Sequence, residues 1–540
     1  MSKNIFDFDC LKYDHSSRRT VTFGRRGMVA TSQNLAASAG LDILKKGGNA
    51  VDAAIATAAC LTVVEPTSNG IGGDAFAIIY FKDKLHGING SGFAPELINK
   101  DEIINLGYKE MPIRGWIPVM VPGVPATWAK LSKKFGNLKL IECLEPAIYY
   151  AREGFPVSPI VSRLWENAFL EFKKDLKGEE FEELFKVFTD GGKTPKAGDI
   201  WKLKDHAKTL EIIGKTNAED FYKGELAEKI DAFSKKTGGY IRKSDLEKYE
   251  TSWVNPVSIN YRGYDIWEIP PNGDGIIALM ALNILKEFEM AECDDFNSIH
   301  QKIEAMKLAF ADGNKYIADK NFMKVSVEEL LSDKYAKIRK KLITEEAMMP
   351  LAGHPNGSST VYIATADSDG NMVSYIQSNY KGFGSGIVVP ETGIALQDRG
   401  ANFSLDETSV NVIAPLKKSF HTIIPGFITK DHDAIGPFGV MGEFMQPQGH
   451  LQVVSNLIDY NMNPQAALDA PRWQWIKDKK VLVEKEMPQE FVTSLLDRGH
   501  EVEVAKDRLS FGRGQIILKK ENGAYAGGTE PRTDGCVASW

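Results

Sequence analysis

The chain has 540 residues, of which 43% are hydrophobic and 25% are charged, a composition typical of globular proteins. This composition excludes disordered, collagen-like and coiled-coil proteins. The net charge is -7, so the chain has no overall positive field that would attract phosphate backbones, and we expect no nucleic-acid partner.

The most apolar stretch, 53–64, contains two threonines and is shorter than the roughly 20 residues that a membrane helix needs, so we expect no membrane span. The N-terminal residues include acidic side chains and lack a continuous apolar core, which does not fit a secretory signal. We therefore expect a cytoplasmic protein. The five cysteines are scattered and the histidines lack HxxxH or HExxH spacing, so we expect no disulfide framework, no catalytic metal and no cofactor.

The N-terminal part of the chain predicts two helices and a strand. Apolar residues recur at helical spacing from 35 to 61 and are interrupted by Gly47-Gly48, which predicts two helices with a glycine end to the first. Asn49 or Asp52 is expected to cap the second helix. The glycine-rich loop 65–74 precedes a strand and does not open a helix, so it predicts a tight turn and not a phosphate-binding loop.

The middle of the chain, 114–339, predicts mainly helices, and apolar residues at helical intervals place one of them at 299–317. The segment 190–199 is predicted as a loop from its Gly, Pro and Asp content. No repeat of fixed period is present, which excludes solenoids and propellers. Helices before and after a block of strands indicate an α+β fold.

A predicted β-hairpin follows the turn-rich segment 353–359. Residues 360–366 predict a strand, Asp369-Gly370 a tight turn and 372–377 the returning strand. Thr360 therefore opens a strand. Its hydroxyl becomes a strong nucleophile if the chain is cut just before it, because the freed α-amine, with a pKa of about 7.7 to 8.0, takes the hydroxyl proton. Spacing alone favours the other interpretation, a β-branched residue that simply begins a strand.

Several motifs stand along the chain in this order: GGNAVDAAIATAACLTVVEPTSNGIGGDAF (47–76), VPGVPATW (121–128), IPPNGDG (269–275), STVYIATADSDGNMVS (359–374), FGSGIVVPETGI (383–394), the segment at His421, MGEFMQPQGHLQV (441–453) and EPRTDG (530–535). Together they span nearly the whole sequence, and agreement at this many points is more specific than any single motif. In sequence and in order, these motifs resemble the gamma-glutamyltranspeptidase family of N-terminal nucleophile hydrolases.

The resemblance implies an α+β fold, a four-layer αββα sandwich with two antiparallel sheets between helical layers. It also implies that the chain cuts itself between Ser359 and Thr360. Residues 1–359 would form a large subunit and 360–540 a small one, and the two would associate as a heterodimer, with further oligomerisation left open. In the family, the new N-terminal threonine forms an acyl-enzyme from a γ-glutamyl amide and passes the acyl group to water or an amino acceptor.

The resemblance also assigns residues to the catalytic centre. The family's backbone oxyanion donors align with Gly442 and Glu443, the second of which is glycine in the family. A side chain at this position narrows the allowed range of φ. The alternative is a turn whose glycine only permits packing. Ser378 and Asn379 stand where the family places hydroxyl and amide side chains that touch the nucleophile and the substrate.

Other positions bear on the substrate. Asn402 stands where the family has an aspartate for the α-amine of glutamate, and Arg399 lies nearby. Replacing a carboxylate by an amide and adding a guanidinium disfavours a cationic amine and favours a carboxylate. His421 and Thr422 replace the family's serine pair. The family's α-carboxylate arginine has no certain counterpart, because Lys100, which lies near its place, is expected to be a solvated surface residue.

The connection 403–420 is too short for the long lid loop of many transpeptidases, which implies an open acyl pocket. These features resemble the subgroup related to cephalosporin acylases. The expected substrate is a small γ-glutamyl or glutaryl amide, with glutathione-type compounds as the family's usual substrates. The alternative is a non-catalytic relative that binds a ligand or serves as an assembly module, because Glu443, Asn402 and Ser359 stand where the family has other residues.

Overall fold

The computed structural model describes residues 19–291, 295–350 and 360–540. Within these residues, two seven-stranded antiparallel sheets pack face to face, and helices cover the outer face of each sheet. The protein is therefore an α+β four-layer αββα sandwich, as the motifs imply. None of the helices in the described ranges combines the length and the apolar content that crossing a membrane requires.

The first sheet holds the predicted hairpin at its centre, within one residue of the expected bounds at each strand. In spatial order its strands are β21 (Cys536–Ser539), β2 (Gly27–Thr31), β10 (Val361–Asp367), β11 (Met372–Ser378), β3 (Asp74–Phe81), β4 (Lys84–Gly90) and β7 (Ser252–Val254).

The second sheet packs on the first through apolar side chains such as Phe76, Tyr362 and Phe427. Its strands in spatial order are β1 (Thr22–Gly24), β20 (Tyr525–Thr529), β19 (Arg513–Lys519), β15 (Asp433–Met441), β14 (Gly426–Lys430), β9 (Tyr264–Glu268) and β8 (Val257–Tyr261). Small peripheral sheets are formed by β5 (Phe155–Pro156) with β6 (Ile200–Trp201), by β12 (Val388–Val389) with β13 (Ile394–Ala395), and by β16 (Trp473–Lys477), β17 (Lys480–Val483) and β18 (Glu501–Val504).

The helices beside the first sheet begin with the two that the Gly47-Gly48 break predicts. Asn49 and Asp52 together cap the second of them, because each side chain accepts a hydrogen bond from the backbone of the other. The helices of this side are α1 (Asn34–Lys45), α2 (Ala50–Val64), α3 (Lys100–Asn105), α4 (Val124–Phe135), α5 (Leu140–Glu153), α6 (Pro159–Asp175), α7 (Glu182–Phe188), α8 (Lys204–Thr216), α9 (Glu219–Lys223), α10 (Glu225–Lys236) and α11 (Lys243–Lys248).

The helices beside the second sheet include the long one predicted at 299–317. It begins three residues earlier, because the Asp295 side chain accepts a hydrogen bond from Ser298 N and caps it. These helices are α12 (Gly275–Leu285), α13 (Phe296–Tyr316), α14 (Val327–Leu330), α15 (Asp333–Lys340), α16 (Met445–Ile458), α17 (Pro464–Asp469) and α18 (Gln489–Asp497). The predicted helical region 114–339 is mostly helical but also contains the short strands β5 and β6 and the sheet strands β7, β8 and β9.

Candidate active site

Thr360 lies directly before β10 and faces Ser378, the last residue of β11. The two strands pair with Val361 opposite Gln377. Thr360 Oγ1 donates a hydrogen bond to Ser378 Oγ at 3.1 Å, and both side chains are buried. This geometry directs the threonine hydroxyl proton toward Ser378 and leaves the lone pairs of Thr360 Oγ1 for an electrophile.

Ser359, the predicted residue before the cut, lies outside the described residues. Cleavage between Ser359 and Thr360, and the division into 1–359 and 360–540, therefore stay predictions. Both large sheets draw strands from both sides of this position.

Ser378 Oγ accepts two further hydrogen bonds. Tyr380 N donates at 2.8 Å and Arg399 Nη2 donates at 3.2 Å. These donors fix the oxygen that faces Thr360, and one of them carries a full positive charge. The nucleophile therefore lies in a field that favours anions.

Arg399 begins a 3-10 turn, Arg399–Asn402, and its side chain is buried. Its Nη1 donates to Thr422 Oγ1 at 2.8 Å, and its Cζ lies 4.5 Å from the centre of the Tyr380 ring. Burial lowers the pKa of Arg399 from its usual value, and the charge of Asp74 opposes this shift. A guanidinium remains charged at neutral pH. Arg399 thus connects the predicted binding residue Thr422 to the nucleophile.

Asn379 lies on a different side of the backbone from Ser378. Its Nδ2 donates to Ala395 O at 3.4 Å, and its side chain packs beside Gly73. Successive side chains of a strand point to opposite faces, which accounts for this separation. Substrate binding by Asn379 stays a prediction. Tyr380, which the sequence reasoning missed, supplies the aromatic surface beside Arg399.

His421 is neutral and pairs with Asp74. Its Nε2 lies 3.0 Å from Asp74 Oδ2, and its ring centre lies 4.7 Å from that of Phe76. Burial lowers the pKa of His421 well below its usual value. Burial also raises the pKa of Asp74 to about 7, against the attraction of Arg399. His421 therefore anchors the segment in which Thr422 binds Arg399.

Asn402 joins the two ends of the short connection 403–420. Its Nδ2 donates to Phe420 O at 3.1 Å, and its carbonyl accepts from Asn411 Nδ2 at 2.6 Å. The side chain is half-buried, and its contact with a substrate stays a prediction. Lys100, expected to be solvated, forms an ion pair with Glu407 in the same connection.

The predicted oxyanion pair, Gly442 and Glu443, directly follows β15. Their φ angles are 138° and 51°, in the region that favours glycine. The buried Glu443 places Oε1 2.7 Å from Lys381 Nζ. Because Lys381 follows Tyr380, this ion pair connects the turn after β15 with the segment after β11. Donation of the two backbone N–H groups to an oxyanion stays a prediction.

A buried carboxyl group from the motif IPPNGDG borders the site. Asp274 N donates to His421 O at 2.8 Å. Neither carboxyl oxygen of Asp274 has a hydrogen-bond partner among the described residues. Burial raises the pKa of Asp274 well above its usual value, although the charge of Arg399 opposes this shift. Nothing in the motif itself indicated its contact with His421.

One cluster with metal-ligand chemistry lies away from this site, on α13 and beside β18. Ligand atoms of His300, Glu304 and His500 lie within 4.8 Å of one another. His300 Nδ1 and His500 Nε2 are 2.9 Å apart, as in a hydrogen bond. Lys307 Nζ lies 2.7 Å from Glu304 Oε1 and already supplies a positive charge to this carboxylate. We therefore assign no metal to the cluster.

Nearly the whole length of the chain is similar to proteins of one known family. A family model described as gamma-glutamyltranspeptidase matches residues 36–540. The glutathione hydrolase-like YwrD proenzyme of Bacillus subtilis (strain 168) is 36% identical over 526 residues, covering 95% of this chain and 98% of the relative. The oxamate amidohydrolase proenzyme of Klebsiella pneumoniae subsp. pneumoniae is 30% identical over 527 residues, with coverage of 95% and 98%. The crystal structure of a cephalosporin acylase from Bacillus halodurans superimposes with a TM-score of 0.95 at 56% identity, covering 99% of each chain. The chain therefore belongs to the gamma-glutamyltranspeptidase family.

Proposed function

We propose that this protein is a self-processing amide hydrolase or acyltransferase with Thr360 as its nucleophile. Its acyl donor is a small amide of the γ-glutamyl or glutaryl type. One observation carries the proposal. Thr360 and Arg399 both donate hydrogen bonds to Ser378 Oγ, so the Thr360 hydroxyl lies close to a buried cation. The names of the relatives, a glutathione hydrolase-like protein, an oxamate amidohydrolase and a cephalosporin acylase, support the same class of reaction.

Self-processing begins at the peptide bond between Ser359 and Thr360. Thr360 Oγ1 attacks the carbonyl carbon of Ser359, the C–N bond breaks, and the nitrogen takes up the hydroxyl proton, so that an ester replaces the amide. Water hydrolyses this ester. The products are a carboxylate on Ser359 and a free hydroxyl and α-amine on Thr360.

In the processed enzyme, the α-amine of Thr360 takes the hydroxyl proton while Oγ1 attacks the amide carbon of the acyl donor. Its unperturbed pKa of about 7.7 to 8.0 suits this role near neutral pH. The backbone N–H groups of Gly442 and Glu443 bind the oxyanion. The α-ammonium then protonates the leaving amine, and water or an amino acceptor attacks the remaining ester and frees Thr360.

Arg399 binds the carboxylate of the acyl group in this proposal. Its guanidinium is held in place by Ser378, Thr422 and the ring of Tyr380. A guanidinium attracts a carboxylate and repels an ammonium. Asn402 has no negative charge that could bind the ammonium of a γ-glutamyl group. A glutaryl amide should therefore be a better acyl donor than a γ-glutamyl amide.

A denaturing gel tests the self-processing step. The wild-type protein should give two fragments divided between Ser359 and Thr360, and Thr360→Ala should give one. The N-terminal sequence of the smaller fragment should begin at Thr360. A wild-type chain that stays whole after long incubation, or that is cut at another bond, would overturn the proposal. An intact chain that binds a small molecule tightly would support the non-catalytic alternative.

Two chromogenic amides test the acyl specificity. Glutaryl 4-nitroanilide should release 4-nitroaniline faster than γ-glutamyl 4-nitroanilide, and Thr360→Ala should release it from neither. If γ-glutamyl 4-nitroanilide were cleaved faster, Thr360 would remain the proposed nucleophile, but the preference for glutaryl groups that we attribute to Arg399 would be rejected.

A further inference from the structure

Arg399 is a buried cation with unused hydrogen-bonding capacity. It donates to two neutral hydroxyl groups, those of Ser378 and Thr422. Among the described residues its Nε has no hydrogen-bond partner, and no acidic side chain of these residues forms an ion pair with the guanidinium. A buried charge without a counter-ion is costly, so this guanidinium is suited to receive an anion from outside the chain.

Asp74, Asp398 and Glu443, whose charges act on Arg399, are each bound by other donors. The buried Asp274 also interacts with Arg399, and its carboxyl oxygens have no hydrogen-bond partner among the described residues. Asp74 accepts hydrogen bonds from His421 and from Gly92 N, and Asp398 accepts one from the backbone N–H of Lys381. The Glu443 carboxylate accepts from Lys381 Nζ, with distances of 2.7 Å and 2.9 Å to its two oxygens.

Lys381 and Arg399 both lie against the Tyr380 ring. Lys381 Nζ lies 4.9 Å and Arg399 Cζ lies 4.5 Å from the centre of the ring. One aromatic side chain therefore contacts both cations, and Glu443 is bound to the first of them. The charge of Glu443 also raises the pKa of Arg399 against the larger effect of burial, so the carboxylate already acts on the guanidinium.

We propose that Lys381 holds Glu443 away from Arg399 and thereby keeps the guanidinium open for the carboxylate of the acyl donor. Without the lysine ammonium, the buried Glu443 carboxylate loses the cation that binds both of its oxygens, and the cation remaining at the Tyr380 ring is Arg399. Glu443 then occupies the donors that a ligand needs and acts as an internal competitor. Lys381 is a positioning residue that sets specificity without touching the substrate, and this role rests on the proposed function of Arg399.

Glutarate binding, measured by isothermal titration calorimetry on the full chain, tests this role without requiring catalysis. Lys381→Met should weaken binding about ten-fold, because the form with an open guanidinium becomes a minor population. Lys381→Met/Glu443→Gln should bind within about three-fold of wild type, because the competitor is gone. Lys381→Arg is the matched control and should bind like wild type. Lys381→Gln replaces Lys381→Met if that variant does not fold.

Two outcomes of the titration would overturn the inference. One is wild-type protein that does not bind glutarate. The other is equal weakening in Lys381→Met and in the double variant, since this would show that loss of the ammonium itself, and not release of Glu443, impairs the site.

Kinetics separate specificity from a merely structural role. Lys381→Met should raise KM for glutaryl 4-nitroanilide about ten-fold and leave KM for its neutral methyl ester close to wild type. An equal loss with both substrates would overturn the inference. If wild type binds glutarate in a Lys381-dependent manner but hydrolyses neither substrate, the proposed function fails and the inference stands. If wild type hydrolyses both and Lys381→Met changes nothing, only the inference fails.

Discussion

Thr360 and Ser378 face each other at the open end of the β10–β11 hairpin, with 3.1 Å between their hydroxyl oxygens. Ser378→Ala removes the acceptor that orients the Thr360 hydroxyl, and a misplaced nucleophile loses roughly ten- to hundred-fold in rate. We expect kcat for glutaryl 4-nitroanilide to fall by this factor. Ser378→Thr keeps the hydroxyl and should retain most of the activity. A Ser378→Ala enzyme as fast as wild type would show that the hydrogen bond has no part in turnover.

The raised pKa of Asp74 should make the free energy of unfolding depend on pH. Burial raises its pKa to about 7 in the folded protein, from the 3.8 usual for an aspartate. Between these values the folded state holds a proton that the unfolded state has released, so this group lowers the free energy of unfolding as pH rises from about 4 to about 7. Asp74→Asn does not titrate. The stability of wild type relative to this variant should therefore fall by about 2 to 4 kcal/mol over that interval.

Urea unfolding of both proteins near the two ends of this pH range measures the Asp74 effect. Comparing each protein with itself at two pH values cancels the hydrogen bonds that the substitution removes. A relative stability that does not change with pH would contradict the raised pKa.

Arg532 lies in the motif EPRTDG and bridges two buried carboxylates. Its guanidinium pairs with Glu484, and its Nη1 lies 2.6 Å from Glu530 Oε1. Arg532→Met leaves both carboxylates without this partner and should lower the free energy of unfolding by about 3 to 5 kcal/mol. Arg508→Met is the matched control, because Arg508 also pairs with Glu484 but is partly exposed. It should cost about 1 kcal/mol or less. Equal losses in the two variants would contradict the role of burial.

Gly72 allows the glycine-rich loop before β3 to approach the β12–β13 hairpin. A Cβ atom at this position would lie 2.3 Å from Ala395 O. Gly72→Ala must displace one of these two segments, so we expect thermal unfolding to show a loss of about 1 to 3 kcal/mol. Because Gly72 O accepts a hydrogen bond from Gln397 N, close to Arg399 in the chain, glutarate binding should weaken as well. Unchanged melting would show that the loop adapts without cost.

Local patterns were sufficient to predict the central hairpin. Alternating residues and the Asp369-Gly370 turn depend only on near neighbours in the chain, and the strands begin and end within one residue of the expected positions. The same alternation, followed one residue further, separates Ser378 from Asn379. Burial alternates along β9 too, but its buried position 268 is a glutamate and the less buried position 267 is a tryptophan, so the residue types did not reveal this strand inside the predicted helical region.

Contacts between distant segments could not be predicted in this way. Asp74 and His421 are 347 positions apart, and Arg399 reaches Thr422 and Tyr380 only because several loops meet at the edge of the sandwich. These contacts depend on how the layers pack, and no local sequence pattern shows this packing. Lys381 and Glu443 are a further example, since neither residue type indicated the other as its partner.

The first sheet brings together strands that are made at very different times. β2 and β3 belong to the first 81 residues, whereas β10 and β11, which lie between them, come after residue 360. Until its last third leaves the ribosome, a growing chain therefore lacks both strands that pair with β2, which are β10 and β21, and the strand β11 that pairs with one edge of β3. Any fragment that stops short of the hairpin leaves these edges unpaired, and a neighbouring copy could pair with them through its own β10–β11.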